Sequence, residues 1–205
     1  MMNRKLAVSL ALALGMSAGA AYAATPFVGP YVGAQLGYSV YDIQENSPSL
    51  SSDGISASGA EGGLYGGWGM KLTPTTYAGI EAEYNWSGAE HTTTAGSTAV
   101  KIEDGDNYGI SGRLGWLPSS NVMLYGRLGW QRATLDYTFS DPTGSATFDQ
   151  DHDGFRVGLG AEVAMTSNLL MRADYAHTMY DDVSFGGANF EPDNDVFRVG
   201  LGYQF

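Results

Sequence analysis

The side chains able to do chemistry form a short inventory: 3 histidines, 22 carboxylates, 10 basic residues and no cysteine. Without cysteine there is no thiolate nucleophile, no Cys-ligated zinc and no disulfide framework. A Ser-His-acid relay needs a histidine beside both a nucleophile and a carboxylate. His91 and His152 fall in segments that read as loops. His177 falls toward the outer end of a strand, with Met179 as its same-face neighbour and Asp181 just beyond, and neither is a nucleophile. No catalytic residue is assigned, and the chain reads as a non-enzyme. Asp149-Gln150-Asp151-His152-Asp153-Gly154 resembles the start of a calcium loop, but its twelfth position is Gly160 where a glutamate is needed. No metal site is assigned. Gly62-Gly63-Leu64-Tyr65-Gly66-Gly67 precedes no helix, so it is no phosphate loop and no cofactor is expected. A formal net charge of −12 lacks the basic footprint of a nucleic-acid binder.

The elements that carry these residues are strands. Glycine supplies 29 of 205 residues, about twice the usual share of roughly 7%. With only 7 prolines and 12% aromatics, this composition predicts an all-β protein with close backbone approach. The start of the chain reads as an address. Arg4 and Lys5 form a basic n-region, Leu6 to Met16 an apolar run, and Ala21-Tyr22-Ala23 a small-x-small cleavage site. Residues 1–23 are therefore predicted to be a signal peptide, cut between Ala23 and Ala24. Losing 23 of 205 residues leaves 182, and losing Arg4 and Lys5 takes the charge from −12 to −14. The apolar run is too short to span a bilayer as a helix.

Residues 24–205 hold eight stretches of period-2 alternation, near 30–42, 59–72, 76–88, 106–117, 121–136, 153–165, 168–180 and 194–205. Tight turns at Thr73-Pro74-Thr75, 117–121 and 166–168 alternate with polar segments near 43–58, 89–105, 137–152 and 181–193, read as long loops. One face of the sixth stretch reads Phe155, Val157, Leu159, Ala161, Val163; the other reads Arg156, Gly158, Gly160, Glu162. A soluble barrel alternates too, with its apolar face inward. There the polar face would meet water, where glycine only weakens a strand. Glycine beside arginine and glutamate suits a narrow interior instead. The expectation is an eight-stranded antiparallel up-and-down transmembrane β-barrel with short periplasmic turns and long extracellular loops. Trp68, Trp86, Trp116, Trp130, Tyr203 and Phe205 fall on the apolar face, where amphipathic rings mark the lipid interface.

The chain ends Phe197-Arg198-Val199-Gly200-Leu201-Gly202-Tyr203-Gln204-Phe205, which resembles the C-terminal signal read by the outer-membrane insertion machinery. Pro30-Tyr31-Val32-Gly33-Ala34-Gln35-Leu36-Gly37-Tyr38 resembles a first barrel strand, and Leu124 to Trp130 and Leu170 to Tyr175 resemble central and seventh strands. Together they are similar to the opacity-protein, outer-membrane protein X and outer-membrane protein A barrel group. The resemblance implies location in the outer membrane of a Gram-negative-type bacterium, among outer-membrane lipid and lipopolysaccharide. It also implies contact with the insertion machinery through the last strand. Because the chain stops at the barrel, no periplasmic peptidoglycan-binding domain is expected. Its activities vary: adhesins, serum-resistance proteins and narrow porins all belong to it.

Strand faces sort the charges. Lys71, Arg113, Arg127, Arg156, Arg172 and Arg198 fall on the lumen face, as do Glu61, Glu81, Glu83, Glu162 and Asp174. Buried charges must pair, because desolvation costs several kcal/mol per ion. Hairpin register predicts Glu162 opposite Arg172; Asp174 with Arg198 and Glu83 with Arg113 are further expected neighbours. This set is either a structural plug or a narrow ion path. The other 17 acids form an acidic crown accompanied only by Lys101 and Arg132. The leading reading is a structural or surface-interaction protein whose loops meet a host or surface ligand. A narrow porin is the alternative, and a lipid-modifying enzyme a weaker one.

Overall fold

Alternation of small or charged residues with aliphatic and aromatic ones lets one strand face two unlike environments. In the computed structural model, which describes residues 25–46, 55–87, 90–95, 98–141, 144–181, 183–185 and 188–205, nearly all of the described residues are strand. The strands are β1 (Gly29–Asn46), β2 (Ile55–Thr73), β3 (Thr76–Ser87), β4 (Glu90–Ala95) and β5 (Thr98–Ser119). They continue with β6 (Val122–Asp141), β7 (Gly144–Ala164), β8 (Leu169–Tyr180), β9 (Val183–Phe185) and β10 (Ala188–Gln204). All pairings are antiparallel, and β1 pairs with both β2 and β10, so the sheet closes. Segment β4 follows β3 along β5, and β9 follows β8 along β10. Ten strands therefore build eight staves.

Register sets the bore. Pairing leads from Val32 through Gly66, Ala82, Ile110, Trp130, Phe155, Met179 and Asp193 back to β1 at Asp42, ten residues above the start. That stagger over eight staves corresponds to a strand tilt of about 40°. An eight-stranded bore is narrow enough for side chains to fill.

Burial is inverted relative to a soluble barrel. Leu36 is 69% exposed and Leu159 70%, whereas Arg198 and Gln204 are 0% exposed. The turn end of the bore is stoppered by apolar and aromatic side chains, among them Phe27, Tyr77, Met123 and Leu170. The seam is clasped by Gln204, whose Nε2 donates to the carbonyls of Val28 and Pro30 at 2.9 Å each. At the turn after β7, Thr166 Oγ1 accepts from the amides of Asn168 (3.3 Å) and Leu169 (3.0 Å).

The segments read as long loops are, within the described residues, mostly strand. β6 and β7 stay paired up to Asp141 opposite Gly144, and β4 and β5 up to Ala95 opposite Thr98. The backbone ladder continues beyond the apolar belt, and period-2 alternation persists in part of it, as in Leu135, Tyr137 and Phe139 between Asp136, Thr138 and Ser140. Residues 1–24, including the expected signal peptide, lie outside the described residues.

Candidate functional site: a charged lumen

Two glutamates on β3 organise the bore. Period-2 alternation puts Glu81 and Glu83 on the same inward face, one pleat apart. Glu81 receives Arg113 Nη1 of β5 at 3.1 Å and Arg172 Nη1 of β8 at 2.8 Å, with Arg127 Nη2 of β6 at 3.6 Å. Tyr31 of β1 also donates its hydroxyl to Glu81 at 2.9 Å. Glu83 receives Arg127 Nη2 at 2.6 Å, Arg198 Nη1 of β10 at 3.4 Å, and Arg156 of β7. The remaining carboxylates close the net. Glu162 binds Arg113 Nη2 at 2.8 Å, and Glu61 binds Arg198 Nε at 2.5 Å. Asp174 lies 3.5 Å from both Arg127 and Arg172. Five arginines balance five carboxylates, and arms from six staves converge on β3.

Ten of the eleven residues expected in the lumen network are buried there. Lys71 is the exception: it is half-buried near the turn end and, among the described residues, joins no ion pair. The partners differ from those read off hairpin register. Glu162 does stand opposite Arg172 and Arg198 opposite Asp174. Yet Arg172 reaches to Glu81, Glu162 to Arg113, and Arg198 to Glu61 and Glu83. Glu83 stands opposite Gly109, and Arg113 opposite Gly79, so the expected Glu83–Arg113 neighbourhood is wrong. Long side chains in a narrow bore meet across it, as Arg172 reaches Glu81, as well as diagonally along the wall, as Arg113 reaches Glu81.

Sequence reading named none of the inward tyrosines. Arg172 lies over the Tyr65 ring at 3.4 Å and Arg113 over Tyr125 at 3.9 Å. Much of the inward glycine exists for these rings. A Cβ on Gly33 would stand 2.2 Å from Tyr65, and one on Gly160 2.4 Å from Tyr125. Amides are woven into the same network. Gln35 donates to Asn85 at 2.6 Å and accepts from Arg172 at 2.5 Å, and Asn85 donates to Asn107 at 2.9 Å. The signal was available, since Tyr31, Tyr65, Tyr77 and Tyr125 share parity with the lumen charges.

On the outer wall Trp68, Trp116, Tyr203 and Phe205 lie toward the turn end, and Trp86 and Trp130 toward the hairpin end, all exposed. Tyr203 and Phe205 pack edge to face at 5.1 Å, as do Tyr108 and Trp130 at 5.9 Å. Beyond the outer girdle, Arg132 grips Asp153 through two hydrogen bonds of 2.7 Å, and Thr134 donates to Asp151 at 3.0 Å. The bonds from Arg132 hold the Asp153 carboxyl below its ordinary pKa. The segment that resembles the start of a calcium loop is thus strand. Its alternation turns Asp151 and Asp153 outward and His152 inward. Burial lowers the His152 pKa, opposed by Asp151 and Asp153. The side chains of Asp149 and His91 lie outside the described residues. His177 is held by Asp195 of β10, Nδ1 to Oδ1 at 2.8 Å, rather than by Asp181.

Residues 8–205 match the family described as outer membrane protein beta-barrel domain. The chain belongs to that family. It is an outer-membrane protein. The 31 kDa outer-membrane immunogenic protein of Brucella melitensis biotype 1 is 25% identical over 149 residues, 69% of this chain. The match covers 62% of that relative, so the chain spans less than two thirds of its length. Two solved barrels share the fold. Neisserial surface protein A superposes with a TM-score of 0.53 at 19% identity, over 86% of this chain and 97% of that one. Ail of Yersinia pestis, in complex with the heparin analogue sucrose octasulfate, gives 0.52 at 14% identity, over 87% and 100%.

Proposed function

We propose that this chain is a non-conducting outer-membrane anchor that presents acidic β-hairpins at the cell surface, with a surface-interaction rather than an enzymatic role. The observation that carries the reading is the filled lumen: the five arginines and five carboxylates are each at most 5% exposed. Removing any one would strand an uncompensated charge, so the set acts as a rigid plug. The hairpins supply the contact surface. The β6–β7 extension alone carries Asp136, Asp141, Asp149, Asp151 and Asp153. Ail is seen with a sulfated, polyanionic sugar. The hairpins here have the wrong sign for such a ligand, which favours a basic partner surface. Export by the signal peptide 1–23 and recognition of the Phe197–Phe205 strand by the insertion machinery belong to the same reading.

One observation favours a narrow porin as the second reading. Arg127 Nε and Nη1 and Arg198 Nη2 are buried donors without a hydrogen-bond partner among the described residues. Planar-bilayer recording separates the two. The plug gives no steady conductance, whereas a steady current that changes on Arg127→Ala would establish the pore. Cell-surface binding to basic protein surfaces, compared between intact protein and a variant with the β6–β7 hairpin shortened, tests the contact role; equal binding by both would overturn it.

A further inference from the structure

The inward glycines are explained by the side chains and backbone that crowd against them, but outward Gly112 and Gly126 are not. A Cβ on Gly112 would come no closer than 4.0 Å to a neighbouring heavy atom, and one on Gly126 no closer than 3.9 Å. Glycine inside a strand weakens it, so a site that could hold a side chain and lacks one points to a use for the space. With Leu114, Leu128, Leu159 and Tyr175, these glycines line a furrow of about 710 Å³ on the lipid face.

Register gives the furrow a direction. One row of paired residues runs Leu114, Gly126, Leu159, Tyr175; the next runs Gly112, Leu128, Val157, His177, Asp195. At a tilt of about 40°, each step to the next stave climbs roughly 3 Å. The furrow thus rises from the middle of the apolar belt to Val157 and Tyr175, and the same row leads on above it to His177 and Asp195 toward the outer rim. The site just above its upper end is polar. Asp195 Oδ1 accepts the Tyr175 hydroxyl at 2.5 Å and His177 Nδ1 at 2.8 Å. Asp195 accepts, so Nδ1 carries a proton; in the neutral ring Nε2 is then an acceptor, and it has no partner among the described residues. The furrow's lower end offers only Leu114 and, below that, Trp116.

We propose that the furrow binds one acyl chain of lipid A, the glycolipid of the outer leaflet, with His177 Nε2 accepting a hydrogen bond at the top of that chain. The polar site lies toward the outer rim, so the ligand enters from the outer leaflet. An acceptor at that depth selects for a donor. The amide N–H and β-hydroxyl groups at the head of lipid A acyl chains are donors, whereas the ester region of a diacyl phospholipid only accepts.

Native mass spectrometry of the detergent-purified barrel, with lipid A and phosphatidylethanolamine added in parallel, tests this. Wild type should retain one lipid A and bind phosphatidylethanolamine about tenfold more weakly. The Gly112→Leu, Gly126→Leu double variant fills the furrow with residues suited to the belt. It should keep its heat-modifiable gel mobility and lose lipid A binding by about tenfold or more. His177→Phe keeps the ring and removes the acceptor, so lipid A binding should fall to the phosphatidylethanolamine level while the latter is unchanged; this variant decides if the double variant does not fold. Equal wild-type affinity for both lipids, or lipid A binding undiminished in the variants, would overturn the proposal. So would a wild-type dimer that the filled furrow abolishes, since the occupant would then be a second copy.

Discussion

The ion pair with the best isolated geometry and the pairs with the largest consequences sit in different regions. Outside the girdle, Arg132 and Asp153 form a two-pronged bond, both contacts at 2.7 Å, with their side chains 34% and 38% exposed. Inside, several contacts are longer, up to 3.6 Å, but every participant is buried and each of Glu81 and Glu83 serves three arginines. Water screens the first pair and leaves its partners well solvated when apart. The second set has no such alternative, because an arginine deprived of its carboxylate stays inside the wall. Dielectric and sharing, more than distance, decide which charges hold the barrel together.

The sharpest test of that contrast is Glu83→Gln, which keeps the shape and removes the charge facing Arg127, Arg156 and Arg198. Urea unfolding in lipid vesicles should show a loss of about 3–5 kcal/mol. A loss near that of an exposed pair would mean the lumen is as well screened as the rim. Gly160→Val tests packing beside the same network. Its new side chain would meet the Tyr125 ring, and overpacking of this kind costs about 1–3 kcal/mol; thermal unfolding in detergent checks it. The rim responds to pH instead. The His152 pKa is depressed by burial, so its neutral form supports the fold above the unfolded value of about 6.5, and that support is lost as pH falls toward the folded value. Protection of the outer β7 amides, corrected for intrinsic exchange, should fall below about pH 6.5, and His152→Gln should flatten that dependence. Asp153→Asn is the smallest change. It breaks the two-pronged bond yet should leave the unfolding midpoint where it was, and a clear shift would show the rim pair to be coupled to more than Arg132.

Much of this was legible from residue order alone. Period-2 alternation assigned the lumen face of Arg127 and the lipid face of Leu128 without reference to any neighbour. The tryptophans marked the two interfaces, and Thr73-Pro74-Thr75 marked a turn. These are local properties, because a pleated strand next to hydrocarbon tolerates only one orientation. Other features needed the closed wall. The hairpin extensions are rich in Ser, Thr, Asp and Gly and so read as loops, although Leu135, Tyr137 and Phe139 still alternate with polar residues. Lys71 has lumen parity, but parity carries no height, so its place at the rim was hidden. The arginine partners were hidden for the same reason. Stagger over eight staves sets which side chains share a level, and the narrow bore makes them meet across it. The sequence by itself determined which residues face inward, because that choice is made one residue at a time against the membrane. Only the tertiary structure decided who meets whom, because that depends on shear and bore, which no single strand contains.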